Sequence, residues 1–148
     1  MMSKQDEKLL NITLLTERVV EGQTEKESYQ DRMLARGCKQ EEKYMIFYET
    51  NLNQKSAKVE YHFSGESLTI KQLGEINSTM IFQKDTMNPV VYETPQGSLI
   101  FLIRTLIYDV EWSKEDFPQA ILAEYELLDE HTKKIAHCKL CLTISMQT

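Results

Sequence analysis

Short runs of alternating apolar and polar residues, separated by turn chemistry, fill most of this chain. Residues 44–48, 59–63, 68–73, 79–82 and 90–94 are each rich in β-branched or aromatic side chains and bounded by polar clusters, which predicts strands at all-β spacing. The alternation is clean in 58–63, where Val59, Tyr61 and Phe63 share one face and Lys58, Glu60 and His62 the other. Near the C-terminus, Ala136, Cys138, Leu140, Leu142, Ile144 and Met146 form an inward row opposed by His137, Lys139, Thr143 and Ser145. Gly65, Gly74 and Gly97 sit where the chain would reverse, and Pro95-Gln96-Gly97 suits a β-turn. A meander follows from this punctuation.

Residues 99–112 are long for one strand. Alternation gathers Ile100, Leu102, Arg104, Leu106, Tyr108, Val110 and Trp112 on a face expected to point inward, apolar except for Arg104. Leu99, Phe101, Ile103 and Ile107 then form a second apolar row that needs a cover. Ser113 could cap a short helix with Phe117, Ile121, Leu122 and Tyr125 at helical spacing. A strand over 120–128 instead turns Ile121, Ala123, Tyr125 and Leu127 inward, and local signals leave both readings open. Residues 24–42 are charged and poor in strong β-formers, so propensity predicts helix or loop there, and 1–8 are expected to fray.

Length and composition set the class. A chain of 148 residues fits a single domain, 1–148, with 41% hydrophobic and 27% charged residues. A net charge of −6 argues against nucleic acid and anionic membrane surfaces as partners, both of which call for clustered Lys and Arg. The longest wholly apolar run, 99–103, is far short of the ~20 residues of a membrane helix. The N-terminus lacks the apolar stretch of a secretory signal, and three cysteines suggest free thiols in a reducing compartment. Cytoplasmic residence is the expectation.

Several motif points lie together in the middle of the chain. They are Tyr48-Glu49-Thr50, Leu73-Gly74 with Asn77 and Met80-x-Phe82, and Tyr92-Glu93-Thr94-Pro95-x-Gly97 leading to Arg104-Thr105. In these residues the chain resembles the YwiB-type family, small bacterial proteins of unknown function with a calycin-like, lipocalin-like β-barrel. It departs from the family in having Gln72 where an arginine is frequent two residues before the glycine. The resemblance implies that the ambiguous segments are mostly strands, giving roughly eight to ten antiparallel strands in one barrel. It carries no activity over to any residue.

Catalytic and metal chemistry find little support. Cys138-Lys139-Leu140-Cys141 is a C-x-x-C, but on a strand those residues project to opposite faces about 10 Å apart, beyond the ~7 Å limit of a disulfide. Cys38 is too isolated to complete a metal pair. His62, His131 and His137 are scattered, no phosphate loop or nucleophile elbow is present, and Glu124, Glu126, Asp129 and Glu130 suit a solvated edge. No catalytic residue, metal or cofactor is expected, and the chain is not expected to be an enzyme.

Arg104 is the exception. On an inward face it is either a structural ion pair, with Glu93 as the partner or its stem reaching water, or the anchor for a carboxylate or phosphate in an apolar cavity. Tyr44, Tyr48, Tyr61, Tyr92, Tyr108 and Tyr125 fall on inward rows and need hydrogen-bond partners when buried. The favoured expectation is non-catalytic binding of a small amphipathic, anionic ligand inside the barrel, contacted by Arg104, Tyr92, Tyr108, Tyr48 and Tyr61. The alternative is a filled barrel that serves as a protein interaction or homodimerisation module.

Overall fold

The computed structural model describes residues 7–52 and 55–147. Ten strands run in chain order: β1 Lys8–Val20, β2 Lys26–Gln40, β3 Lys43–Leu52, β4 Lys55–Phe63, β5 Ser67–Leu73, β6 Ser78–Gln83, β7 Met87–Thr94, β8 Gly97–Glu111, β9 Ala120–Leu128 and β10 Lys134–Met146. All neighbours pair antiparallel, in the order β6-β5-β4-β3-β2-β1-β10-β9-β8-β7. The terminal strands β1 and β10 pair along their length, so the seam of this nearly closed barrel lies between β6 and β7. A two-bond bridge between Asn77 and Glu93 closes one end of that seam, and the β6–β7 turn closes the other.

The period-two rows of the sequence build the interior. Ile121, Ala123 and Tyr125 of β9 face Leu142, Leu140 and Cys138 of β10, and Leu10, Ile12 and Leu14 of β1 extend the same wall. Val59, Tyr61 and Phe63 also point inward, while Lys58 and His62 pair with Glu60 outside at 3.3 and 2.8 Å. No described residue is helical. The helix considered after Ser113 is a turn: Ser113 Oγ accepts the Glu115 N–H and donates to the Phe117 carbonyl, after which β9 begins.

Two further expectations are corrected. Residues 26–40 form strand β2, because β1 supplies a partner for nearly its whole length and pairing overrides weak propensity. Lys8 belongs to β1, opposite Gly37, and only 1–6 of the stretch expected to fray lie outside the described residues.

The larger correction concerns β8. Its pairing with β9 advances from Thr105–Tyr125 to Ile107–Glu124, so Leu106 is the extra residue of a β-bulge. One inserted residue exchanges the faces. Phe101, Ile103 and Thr105 therefore point inward before the bulge, and Tyr108 and Val110 after it. The β6–β7 turn docks on this point, with Asp85 N bonded to Thr105 O and Thr105 N to Thr86 O, both at 3.0 Å. Arg104 and Ile100, expected inside, face out.

One end of the barrel is plugged. The β8–β9 connection folds over it and places Phe117 against Tyr44 at 5.5 Å between ring centroids, with Phe63 stacked on Tyr44 at 5.0 Å. Gly37 makes the room: a Cβ there would lie 2.5 Å from Leu10 Cδ1 and 3.0 Å from the Phe117 ring.

Candidate functional site

At the opposite end the interior is not filled. A cavity of about 380 Å³ is lined by Thr16, Glu17 and Arg18 of β1, Glu27, Ser28 and Tyr29 of β2, Met80 of β6, Tyr92 of β7, Tyr125 and Leu127 of β9, and Cys138 of β10. This volume lies within the roughly 300–1,000 Å³ of small-ligand pockets. The inward row of β1 explains its character. Leu10, Ile12 and Leu14 pack in the core, and the same row continues into Thr16 and Arg18, so the wall changes from apolar to polar at the cavity.

Arg18 is the cation of this site. It stands opposite Cys138 on one side and Glu27 on the other, and Cys138 stands opposite Tyr125, which faces Thr105. One row thus crosses five strands as Glu27, Arg18, Cys138, Tyr125, Thr105. Arg18 Nη2 and Nε donate to Glu27 Oε2 at 2.6 and 3.2 Å, and both side chains remain more than half exposed. Among the described residues Nη1 has no bonded partner. Thr105 Oγ1 is fully buried and has no hydrogen-bond partner among the described residues.

The expected site residues divide. Arg104 lies outside the barrel, 44% exposed, and pairs with Glu126 at 3.2 Å rather than with Glu93, while Glu126 also takes Lys134 at 3.4 Å. It is a surface ion pair because the bulge at Leu106 reverses the face it was read on. Tyr92 lines the cavity. Tyr48 and Tyr61 lie elsewhere in the interior, hydroxyl to hydroxyl at 3.2 Å, and Tyr108 Oη reaches the carbonyl oxygens of Ser64 and Ser67 at 2.7 and 3.0 Å. Those three tie strands to one another. Burial pushes the hydroxyls of Tyr48, Tyr61, Tyr92, Tyr108 and Tyr125 above the usual tyrosine range, so all are neutral donors near pH 7.

Arg18, Thr16, Tyr29 and Glu27 were missed by the sequence reasoning. The signal was present in β1, where period two from Leu10 through Ile12 and Leu14 reaches Arg18, but the doublets Leu9-Leu10, Leu14-Leu15 and Val19-Val20 obscure the alternation. Burial raises the Cys138 thiol, against the pull of Tyr125 and Arg18, so it stays protonated near neutrality. Cys141 is on the outer face, and the two are not bridged. Among the described residues no three His, Cys, Asp or Glu side chains gather as a metal site.

The fold recurs in a solved structure. The crystal structure of ywiB protein from Bacillus subtilis superimposes with a TM-score of 0.81 at 13% identity, covering 97% of this chain and 94% of that one. No curated protein matches. The model of a domain of unknown function, DUF1934, matches residues 12–142. That span runs from the core of β1 into β10, so the chain belongs to the DUF1934 family, the YwiB-type barrels.

Proposed function

We infer that this barrel is a non-catalytic binder of a small amphipathic anion, held at its open end with the acidic group on Arg18. The observation that carries this reading is an arginine on an inward-facing row at the polar edge of a cavity whose deeper wall is aromatic and apolar, with Glu27 and Glu17 each engaged by a cation of their own, Arg18 and Lys26. Barrels of this size can enclose one small ligand, and such sites combine apolar walls with a few placed polar groups. Met80, Tyr92, Tyr125 and Leu127 supply the wall, and the guanidinium has donors beyond those engaged by Glu27. Glu27 competes for Arg18, which makes it the gate of the site.

Titration with 8-anilino-1-naphthalenesulfonate, an amphipathic fluorescent anion, tests the reading. Arg18→Ala is expected to weaken binding about 10-fold or more, and Glu27→Gln to strengthen it, because a charge-assisted hydrogen bond is worth about 1.5–3 kcal/mol. Native mass spectrometry of gently purified protein should retain a small adduct. Equal binding by the wild type and both variants, with no adduct, would remove the proposal.

One observation favours a second reading. The outer face of β7 and β8 exposes Met87, Val91, Ile100, Leu106 and Ile107, a row that a second copy of the chain could cover. This row replaces the expected one, since Phe101 and Ile103 face inward. Sedimentation tests it: a monomer at high concentration removes this reading and leaves the first intact.

A further inference from the structure

A bound amphipathic anion leaves the body of the ligand undefined, and the hydroxyls of the cavity wall define it. Five of the six interior tyrosines, all but Tyr44 of the plug, fall into two groups. Tyr48 and Tyr61 bond each other, and Tyr108 bonds carbonyl oxygens, so each of these three has an oxygen partner. Tyr92 and Tyr125, the two that line the cavity beside Arg18, meet sulfur instead. Tyr92 Oη points at Met80 Sδ from 3.9 Å, and Tyr125 stands across from the Cys138 thiol, its neighbour on β10. Thioether and thiol are weak acceptors, so both phenols retain most of their donor capacity. Ring packing holds them in place, with Tyr92 edge-on to Phe101 at 5.7 Å and Tyr125 edge-on to Phe82 at 4.9 Å.

We propose that the cavity selects an aromatic or heteroaromatic anion, its acidic group on Arg18 and a ring acceptor taken by Tyr92 or Tyr125, over an alkyl-chain anion of equal charge. A methylene chain would leave both hydroxyls with sulfur alone and bury them against hydrocarbon, whereas a ring with a nitrogen or oxygen acceptor completes them and stacks on their faces. Carboxylate, sulfonate and phosphate share the chemistry that Arg18 recognises. The inference rests on the cavity holding an anion, and the test separates the two.

Three probes suffice in calorimetric titrations: quinoline-6-carboxylate, naphthalene-2-carboxylate, which has the same shape without the ring acceptor, and decanoate. Quinoline-6-carboxylate is expected to bind about 10-fold tighter than its naphthalene counterpart, the worth of one good hydrogen bond, with decanoate weakest. Tyr92→Phe or Tyr125→Phe should bring the two ring compounds within about twofold, while unchanged naphthalene-2-carboxylate affinity shows that the variant has folded. Decanoate binding as tightly as the quinoline, in an Arg18-dependent way, overturns the selectivity and leaves the anion site standing. Equal affinity of the two ring compounds for the wild type also overturns it, since the hydroxyls then keep water. If none of the three binds, the anion site falls and the selectivity with it.

Discussion

The two ends of this barrel use the same residue types to opposite effect. At the plugged end Tyr44, Phe63 and Phe117 meet face to face or tilted, and Gly37 removes the one Cβ that would stop Phe117 from seating. At the open end Tyr92 and Tyr125 pack edge-on against Phe101 and Phe82, the Tyr92 hydroxyl meets the Met80 sulfur, Tyr125 stands across from Cys138, and about 380 Å³ stays unfilled. Aromatic content alone therefore does not distinguish a core from a pocket. What distinguishes them is whether the rings close on one another or stand around an unfilled space.

Alkaline titration probes the whole interior and should have the largest effect. Burial holds Tyr61, Tyr108 and Tyr125 above the ordinary tyrosine value, so the folded state binds protons that the unfolded chain would release. Their contribution is fully present below about pH 10 and is lost as pH rises above it. Tyrosinate absorbance from these residues is expected to appear together with loss of the β-sheet circular dichroism. Ionisation well before unfolding would mean that the interior is wetter than the packing shows.

Truncation separates the ends more sharply. Phe117→Ala opens a cavity in the plug and should cost about 3–5 kcal/mol in denaturant unfolding, whereas Met80→Ala, in a half-buried cavity wall, should cost less than about 2 kcal/mol. Similar costs would erase the distinction between a packed and an unpacked end. A smaller effect is expected from Gly37→Ala. Its Cβ would meet Leu10 and Phe117 within the plug, so overpacking should cost about 1–3 kcal/mol. A neutral result would show that Phe117 can shift and that the plug is looser than the cavity wall.

Most of the fold was legible because β3 to β7, and β10 from Ala136 onward, each keep one period, whereas 120–128 satisfied helical spacing as well and was settled as β9 only by its partners β8 and β10. The rows Val59-Tyr61-Phe63 and Ala136 to Met146 face inward as alternation requires. β2 was illegible for a physical reason. It pairs with β3 only from Arg36 to Gln40, so Lys26 to Ala35 lie along a barrel edge bonded to β1 alone, and charged residues such as Lys26, Glu27 and Arg32 suit such an edge. β8 failed differently: its composition announces a strand, but nothing in Arg104-Thr105-Leu106 announces the bulge, which is set by the β6–β7 turn docking on Thr105. That single inserted residue moved the sought cation from Arg104 inside to Arg104 outside. A cavity bordered by an arginine lies on another strand, and Tyr92 is the one of the five expected residues that lines it.

The smallest stability effects carry the most functional information. Arg18 and Arg104 are both exposed and each is paired with one glutamate, at 2.6 and 3.2 Å. Solvent screening limits such pairs, so Arg18→Ala and Arg104→Ala should each change unfolding free energy by less than about 1 kcal/mol. Their difference lies in direction alone. Arg18 stands on an inward row opposite Cys138 and borders the cavity, while Arg104 stands opposite Glu126 on the outer wall. Two variants of equal stability should thus differ in affinity for an aromatic anion, with loss only for Arg18→Ala. If Arg104→Ala lost binding to the same extent, the anion would be held by the overall field of the protein, and the contrast between the ends would have no bearing on recognition.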